Sequence, residues 1–406
     1  MPDVAGAVTS TLGMLVRELD RAPPTELVGV CRAWLRRVAD ARECDLMLAD
    51  YSETSLEPMP AATASARAHR QQVDNSAAGT AYRQQRVVHV DLPAQRGLTT
   101  PLVLSYVPVS IRTERLGVLA VTHPATHGSD TTAVLDHVAQ ILAYMLTGAR
   151  RYTDQFEAQR RRRALGLAAE IQWELLPVLA YELPDFSIAG ALEPAYDIGG
   201  DTFDYAVSAR GLTVSITDAV GHGLRSALLS SLAVTAMRNM RRCGGAILDQ
   251  ATAANTHLVE QFPGPSFVTG LLLQVAVDTG HVTVINAGHP LPLLLRDHSV
   301  CSLIFAADRP MGLFADTRYR LHDLELLPGD RLLLLTDGIS EAHHPGGPEF
   351  GLRRVADLLS TKAHLPPAEF VRLLTREVSD YRGEPLTDDA TAVCLDCLGS
   401  MRPGCV

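Results

Sequence analysis

The chain has 406 residues and a formal net charge of −10 at pH 7, from 36 Lys and Arg against 46 Asp and Glu. At roughly 100–200 residues per domain, this length predicts two or three domains. The hydrophobic content of 47% and the charged content of 20% exclude a mainly disordered or collagen-like chain. The net negative charge argues against nucleic acid as a partner, because the phosphate backbone requires a basic surface.

Cysteine usage and the N-terminus bear on the compartment. The seven cysteines are odd in number and widely spaced, which does not suggest a disulfide framework. The start Met1–Val4 lacks the basic segment that opens a signal peptide, so we expect no signal peptide. No apolar run reaches about 18 residues, the length that spans a bilayer. We therefore expect a cytoplasmic protein without a membrane partner.

The first zone, residues 1–147, mixes helical and strand patterns. Apolar residues at helical spacing predict helices over 27–38 and 132–146. Strands are predicted over residues 87–91, 102–109 and 116–122. The polar segment Ile111–Arg115 predicts a hairpin turn between the last two strands.

Residues 148–177 form a basic second zone. Arginines at positions 150, 151 and 160–163 precede apolar residues at helical spacing, and no proline occurs before Pro177. This pattern predicts one long linker helix. Its basic face could be solvated surface, or it could be a seam that forms a homodimer or passes a signal. The sequence leaves both interpretations open.

The third zone, residues 178–398, is rich in strands and turn signals and is followed by a tail, residues 399–406. Helices are predicted over residues 224–242, 246–261, 352–359 and 367–381. Because strands and helices do not alternate regularly, the pattern favours a mixed α+β domain over a doubly wound sheet.

Aspartates of the third zone occur where predicted strands meet glycines or turns. They are Asp201 after Gly199-Gly200, Asp218 after strand 212–217, Asp337 after strand 332–336, and Asp388-Asp389 before strand 392–398. One such aspartate is usually a turn or cap residue, so the prediction rests on the set. Carboxylates brought together repel unless cations neutralise them, and oxygen ligands select Mg²⁺ or Mn²⁺. Two such ions bridged by water generate a hydroxide and clamp a phosphoryl group.

The third zone resembles the SpoIIE/RsbU branch of the PP2C-type serine/threonine phosphatases (PPM family). The resemblance covers roughly residues 165–398, and residues 170–177 match the family's lead-in helix. The five ordered motifs are Glu193–Asp201, Thr217–Gly223, Asn286–Pro290, Pro328–Ala342 and Asp388–Thr391. The resemblance implies a PP2C-like α-β-β-α sandwich in the C-terminal part of the chain.

The resemblance also implies roles for individual residues. Asp218 would bridge two Mn²⁺ or Mg²⁺ ions, with the Ala219 carbonyl on one of them. Asp337 and Asp388 would complete the second metal site, and Asp201 would hold metal-bound water. The four aspartates are the predicted catalytic residues, and with Ala219 they are the predicted metal ligands. A metal-bridging hydroxide would attack phosphorus directly, so no serine or cysteine nucleophile is needed.

Some positions leave alternatives open. Asp389 is the rival of Asp388, since both precede the final strand. Many relatives carry valine at Ala219, but only the carbonyl is needed there. Thr202-Phe203 replaces the more usual aromatic pair after the first aspartate and could alter the pocket wall. For His222, between two glycines, a structural role is favoured over a metal-binding or proton-donating one, and His289 is expected to support the site.

The resemblance implies a phosphoprotein substrate, a phosphorylated STAS-type anti-anti-sigma protein in bacterial sigma-factor signalling. A non-catalytic sensor or scaffold that binds a partner through the N-terminal zone and the linker is the main alternative. A hydrolase acting on small phosphoesters is a lesser one. The filled set of aspartates argues against the scaffold.

The N-terminal zone resembles a GAF domain. The features that carry the resemblance are Gly79–Arg83, the strand pair around the charged turn, and the closing helix. It implies an α/β sensor that binds a small ligand or dimerises, but no motif identifies the ligand. The linker would then pass a signal to the phosphatase by repacking.

Overall fold

The computed structural model describes residues 4–60, 69–93, 100–125, 129–193, 199–208, 211–276, 278–344, 346–383 and 389–399. The chain forms two compact units, Met1–Arg163 (unit 1) and Ala164–Val406 (unit 2). Three predicted features lie outside the described residues: the ligand Asp388, residues 194–198 of the first motif, and residues 400–406 of the tail. Within the described residues, no helix combines the length and apolar character needed to cross a bilayer.

Unit 1 is built on one antiparallel sheet. Its strands are β1 (Glu43–Ala49), β2 (Ser55–Pro58), β3 (Gln71–Gln72), β4 (Val88–Asp91), β5 (Leu102–Ile111) and β6 (Glu114–Pro124). Their order across the sheet is β3-β2-β1-β6-β5-β4. A tight turn joins β5 to β6, and Arg112 adopts a left-handed conformation there with φ of 54°. The three predicted strands and the hairpin are therefore confirmed.

Helices cover both faces of the unit 1 sheet. They are α1 (Val4–Arg21), α2 (Leu27–Ala39), α3 (Ala77–Gln84), α4 (Ser129–Ala149) and α5 (Gln155–Arg160), with a 3₁₀ turn at Pro24–Glu26. Trp34 of α2 and Leu142 of α4 pack on one face of the sheet, and Tyr82 of α3 packs on the other. Burial of these apolar side chains supplies the main stabilisation of both contacts. The helices predicted over 27–38 and 132–146 are confirmed.

The prediction of one long helix over residues 148–177 is wrong. The chain contains the end of α4, then α5, and then a separate helix α6 (Leu167–Leu175). Phe156 is buried in the unit 1 core, and Arg160 Nε donates to the Ala49 carbonyl at 3.0 Å. Arg161 and Gly166 have extended backbones, with ψ of 114° and 155°, so the helix is interrupted between them. Tertiary contacts thus override local helical periodicity.

The basic character of this segment also has a structural explanation. Arg150 pairs with Glu114 and Glu157 at 3.6 and 3.1 Å, and Arg160 lies 3.5 Å from Glu157. Arg150 and Arg160 are partly buried ion-pair partners inside unit 1, whereas the arginines at positions 151, 162 and 163 are exposed. A homodimer through this segment stays a prediction.

Unit 2 contains two antiparallel sheets. Sheet 1 has the order β15-β12-β11-β10-β9, and sheet 2 has the order β14-β13-β16-β17-β8-β7. The first six strands of unit 2 in chain order are β7 (Ala180–Glu182), β8 (Phe186–Glu193), β9 (Asp201–Ser208), β10 (Gly211–Ala219), β11 (Val268–Val275) and β12 (His281–Ala287). The remaining strands of the two sheets are β13 (Leu293–Arg296), β14 (Ser299–Ser302), β15 (His322–Glu325), β16 (Arg331–Leu335) and β17 (Ala390–Cys397).

Helices form the outer layers of unit 2. Besides α6, they are α7 (Leu224–Arg242), α8 (Ile247–Gln261), α9 (Asp337–Ser340), α10 (Gly351–Thr361) and α11 (Pro367–Arg382). Helices α7 and α8 pack on sheet 1, and α10 and α11 pack on sheet 2. The result is four layers, in the order helix, sheet, sheet, helix. The predicted combination of helices with antiparallel sheets is confirmed for this unit.

The apolar runs of the sequence match this layering. In β16, Leu332 and Leu334 face the opposite sheet, whereas Leu333 and Leu335 face the helices. Successive side chains of a strand point to opposite faces, so a strand covered on both sides requires an unbroken apolar run. This explains why the strand reads as four consecutive leucines and ends at Thr336, where the sandwich opens to the candidate site.

Candidate active site

Two of the predicted aspartates are neighbours on sheet 1. Asp201 is the first residue of β9, and Asp218 lies near the end of β10. They are directly opposite in the antiparallel register. Opposite residues have side chains on the same face of the sheet, so the two carboxylates adjoin each other. Asp201 is buried, whereas Asp218 is partly exposed, so the pair extends from the interior toward solvent.

A third aspartate approaches from sheet 2. The Thr336 hydroxyl donates to Asp201 Oδ2 at 2.6 Å and accepts from the Thr391 backbone N–H at 2.9 Å. Asp337 follows Thr336 as the first residue of α9 and is partly exposed. The hydrogen bond from Thr336 therefore joins the two sheets at the point where three predicted site residues lie.

Asp389 connects the start of β9 to Gln172 of α6. Its Oδ2 accepts the backbone N–H groups of Gly200 and Asp201 at 2.8 and 3.1 Å and the side-chain amide of Gln172 at 3.1 Å. The side chain is buried. Its contacts are with the protein backbone that carries Asp201, so Asp389 fixes the position of that residue.

The backbone from Gly199 to Asp201 is also held at its carbonyls. Ser226 Oγ donates to the Gly199 carbonyl, and Ser230 Oγ donates to the Gly200 carbonyl. Gln172 Nε2 donates to the Asp201 carbonyl. Together with Asp389, these side chains satisfy the polar groups of a buried backbone segment, which would otherwise be costly to bury.

Sequence reasoning did not assign these supporting residues. Gln172 belongs to the lead-in helix noted in the sequence, but no role was predicted for it. Ser226 and Ser230 are four residues apart and thus lie on one face of α7, next to Gly223 at its start. The signal that could have found the two serines was a pair of polar residues at helical spacing on a buried helix face. For Thr336, the signal was a polar residue directly before Asp337.

The charges of the site oppose one another. The pKa of Asp201 lies well above its usual range, because burial removes water and because the carboxylates of Asp218 and Asp389 repel its charge. The hydrogen bond from Thr336 acts in the opposite direction and lowers that pKa. A cation next to these carboxylates would relieve the repulsion.

The donors fit hard divalent cations. The described side chains at the site offer carboxylate oxygens, and the backbone contributes the Ala219 carbonyl, which is the chemistry that Mg²⁺ and Mn²⁺ prefer. Across the described residues, no three His, Cys, Asp or Glu side chains are grouped so as to hold a metal ion. That set lacks Asp388. The observation that supports a cation here is therefore the direct register pairing of two carboxylates, Asp201 and Asp218, beside the Ala219 carbonyl.

The two predicted histidines differ in their surroundings. His222 is exposed in the loop between β10 and α7. His289 is buried, its backbone N–H donates to Asn286 Oδ1 at 2.8 Å, and its Nδ1 lies 2.9 Å from Thr269 Oγ1. Burial lowers the pKa of His289 to about 3, so the ring is neutral. Thr269 is the register partner of Asp218, and His289 thus supports the strand beside the site.

Comparisons with known proteins concern mainly unit 2. Residues 208–398 match the family described as Stage II sporulation protein E (SpoIIE). The phosphoserine phosphatase RsbP of Bacillus subtilis is 26% identical over 187 residues, which cover 44% of this chain and 46% of RsbP. The phosphoserine phosphatase RsbU of the same organism is 24% identical over 183 residues, covering 45% and 54%. The chain spans about half the length of these curated relatives.

Two solved structures are also among the similar proteins. The SiaA-PP2C domain of Pseudomonas aeruginosa has a TM-score of 0.48 and 25% identity, covering 56% of this chain and 94% of that domain. The PP2C phosphatase domain of Bacillus subtilis SpoIIE, with a fragment of its regulatory domain, has a TM-score of 0.46 and 14% identity. It covers 76% of this chain and 82% of that chain.

Proposed function

We propose that the protein is a metal-dependent protein serine/threonine phosphatase, because residues 208–398 match the SpoIIE family and the similar proteins RsbP and RsbU are named phosphoserine phosphatases. One observation carries this proposal. Asp201 and Asp218 are register partners on sheet 1, and Asp201 accepts a hydrogen bond from Thr336, the residue directly before Asp337. These contacts support a site formed by the motifs that resemble a phosphatase.

In this proposal, Asp218, Asp337 and Asp388 hold two Mn²⁺ or Mg²⁺ ions together with the Ala219 carbonyl. Asp201 would hold a water molecule of the metal site by accepting its hydrogen bond. When bound, the ions supply Lewis acidity for water activation and neutralise phosphoryl charge. The site residues orient the reactants and keep the carboxylates in place.

The contacts of Asp389 support the choice of Asp388 as the ligand. Asp389 Oδ2 already accepts three hydrogen bonds from the backbone and from Gln172. This oxygen is poorly available for a metal ion, whereas the three hydrogen bonds do not involve Oδ1. The neighbouring Asp388 is the remaining aspartate of the motif.

The proposed substrate is a phosphorylated regulatory protein. RsbP and RsbU are named phosphoserine phosphatases, which supports phosphoserine as the target. A STAS-type anti-anti-sigma protein is our specific proposal. Unit 1 would act as a GAF-like sensor with a small ligand, because its sheet and flanking helices agree with an α/β sensor domain.

The test uses the full chain and two substrates, a phosphoserine STAS protein and p-nitrophenyl phosphate, with and without Mn²⁺. We expect turnover that requires Mn²⁺ and is lost in Asp218→Asn, because this change removes charge shared by both ions. The matched control is Asp380→Asn, an aspartate on α11 whose side chain is 71% exposed. It should keep wild-type turnover.

The outcomes separate the candidates. Faster dephosphorylation of the STAS protein than of p-nitrophenyl phosphate would support a protein phosphatase, and the reverse preference would indicate a small-phosphoester hydrolase. Mn²⁺-dependent turnover retained in Asp218→Asn would contradict the proposed site. Absence of turnover in a folded, Mn²⁺-bound protein would favour the scaffold.

A further inference from the structure

We propose that Ser226 and Ser230 of α7 are positioning residues, whose hydroxyls set the metal affinity of the site by holding the carbonyls of Gly199 and Gly200. The inference rests on the proposed function and adds two residues to that site. Neither serine belongs to a predicted ligand set, and neither touches a carboxylate in the described hydrogen bonds.

Both hydroxyls are buried and directed at the same short backbone segment. Ser226 is 0% and Ser230 is 2% exposed. Ser226 Oγ contacts the Gly199 carbonyl and also lies 2.9 Å from the Gly223 carbonyl, and Ser230 Oγ contacts the Gly200 carbonyl. The serines are one helical turn apart, so α7 presents two donors to two consecutive carbonyls.

The Gly200 carbonyl connects the serines to a predicted ligand. It accepts from Ser230 Oγ and also from the backbone N–H of Ala219, at 3.2 Å. A Cβ atom at Gly200 would lie 3.2 Å from the Ala219 carbonyl oxygen. The hydroxyl of Ser230 therefore acts on the peptide that fixes the distance between β9 and the Ala219 carbonyl.

Close packing restricts the position of the backbone at Gly199 and Gly200. A Cβ atom at Gly199 would lie 3.2 Å from the Cβ atoms of both Ala168 and Ala227. The backbone thus approaches α6 and α7 closely, and the serine hydroxyls are the donors at that contact. Without them, the backbone that carries Asp201 would be less restrained.

Helix α7 also provides a control residue. Ser231 Oγ is buried and makes no hydrogen bond with any part of the chain that the structure describes. Ser231→Ala removes a hydroxyl from the same helix without removing such a contact. It therefore matches Ser226→Ala and Ser230→Ala in helix propensity and in the number of atoms deleted.

The experiment measures Mn²⁺ binding to the full chain by calorimetry, with urea unfolding of each variant and hydrogen exchange at the Asp201 and Ala219 amides. Removing groups that orient metal ligands typically weakens metal affinity by about 10–100-fold. We expect a loss in this range for the double variant Ser226→Ala/Ser230→Ala and a smaller loss for each single variant. Exchange at both amides should be faster, and Ser231→Ala should match the wild type.

A purely structural role would lower the free energy of unfolding without changing the Mn²⁺ dissociation constant. That result in the double variant, or in the single variants if the double variant does not fold, would overturn the serine proposal. Wild-type protein that fails to bind Mn²⁺ would instead overturn the proposed function. The two failures are therefore distinguishable.

Discussion

Thr336 is the residue whose removal tests the connection between the two sheets most directly. Its hydroxyl donates to Asp201 Oδ2 at 2.6 Å and accepts the Thr391 N–H at 2.9 Å, and all three residues are buried. Thr336→Val keeps the shape of the side chain and deletes both hydrogen bonds. The backbone bond from the Thr336 N–H to the Thr391 carbonyl, at 3.0 Å, remains.

The expected loss can be worked from these two contacts. A hydrogen bond to a charged group contributes about 1.5–3 kcal/mol, and a buried N–H left without its acceptor costs about 1–3 kcal/mol. The free energy of unfolding of unit 2 should therefore fall by about 2.5–6 kcal/mol. Mn²⁺ binding should also weaken, because the Asp201 carboxylate loses the donor that holds it.

The assay is urea unfolding monitored by tryptophan fluorescence. The chain has two tryptophans, and Trp34 lies in unit 1 whereas Trp173 lies in unit 2. A Trp34→Phe background leaves Trp173 as the reporter of unit 2. The control is Thr217→Val, because the buried Thr217 Oγ1 has no hydrogen-bond partner among the described residues. We expect a change within about 1 kcal/mol for this control.

Equal unfolding free energies for Thr336→Val and Thr217→Val would refute the reasoning. That result would mean that the hydrogen bond between the sheets is replaced by water or contributes nothing net. A large loss in both variants would indicate that the added methyl groups, and not the lost hydroxyls, cause the destabilisation.

Two further predictions concern close packing and thiol reactivity. In Gly338→Ala, the new Cβ would lie 1.8 Å from the Asp389 carbonyl oxygen. We therefore expect the free energy of unfolding of unit 2, measured by urea unfolding, to fall by about 1–3 kcal/mol. Mn²⁺ binding, measured by calorimetry, should be weaker. Gly346→Ala is the control, because its Cβ would meet nothing within 4 Å. Its φ of 72° adds backbone strain, so this variant reports the cost of strain without a clash. Burial raises the pKa of the Cys31 thiol to about 12, so at pH 8 it is protonated and unreactive. A thiol reagent should label the exposed Cys243 and Cys301 quickly in the native protein, and rapid labelling of Cys31 would contradict the burial.

Much of the sandwich could be predicted because its strands are buried on both faces. The run Leu332–Leu335 predicted a strand, and the bounds of α7 match the predicted helix over 224–242. Glycines and turns beside the aspartates indicated the end of the sandwich where the site lies. These signals are local in the sequence, and the tertiary structure does not oppose them.

The failures arise where distant contacts decide. The helix predicted over 148–177 is interrupted because Phe156 and Arg160 pack within unit 1, which periodicity does not reveal. Asp388 and Asp389 are equivalent in the sequence, and Asp388 lies outside the described residues, whereas the backbone contacts of Asp389 join residues far apart in the chain. The role of Gln172 depends on a partner 217 positions away, so no local pattern could assign it.

The long reach of these contacts has a consequence for how the protein is made. The backbone at Gly200 and Asp201 is completed by Asp389, which follows them by 189 and 188 positions. Contacts of high sequence separation form late, because the entropy of closing the intervening loop opposes them. A ribosome-bound chain that has emerged only through sheet 1 lacks Asp389 altogether. The candidate site is therefore complete only after the chain has been synthesised through Asp389.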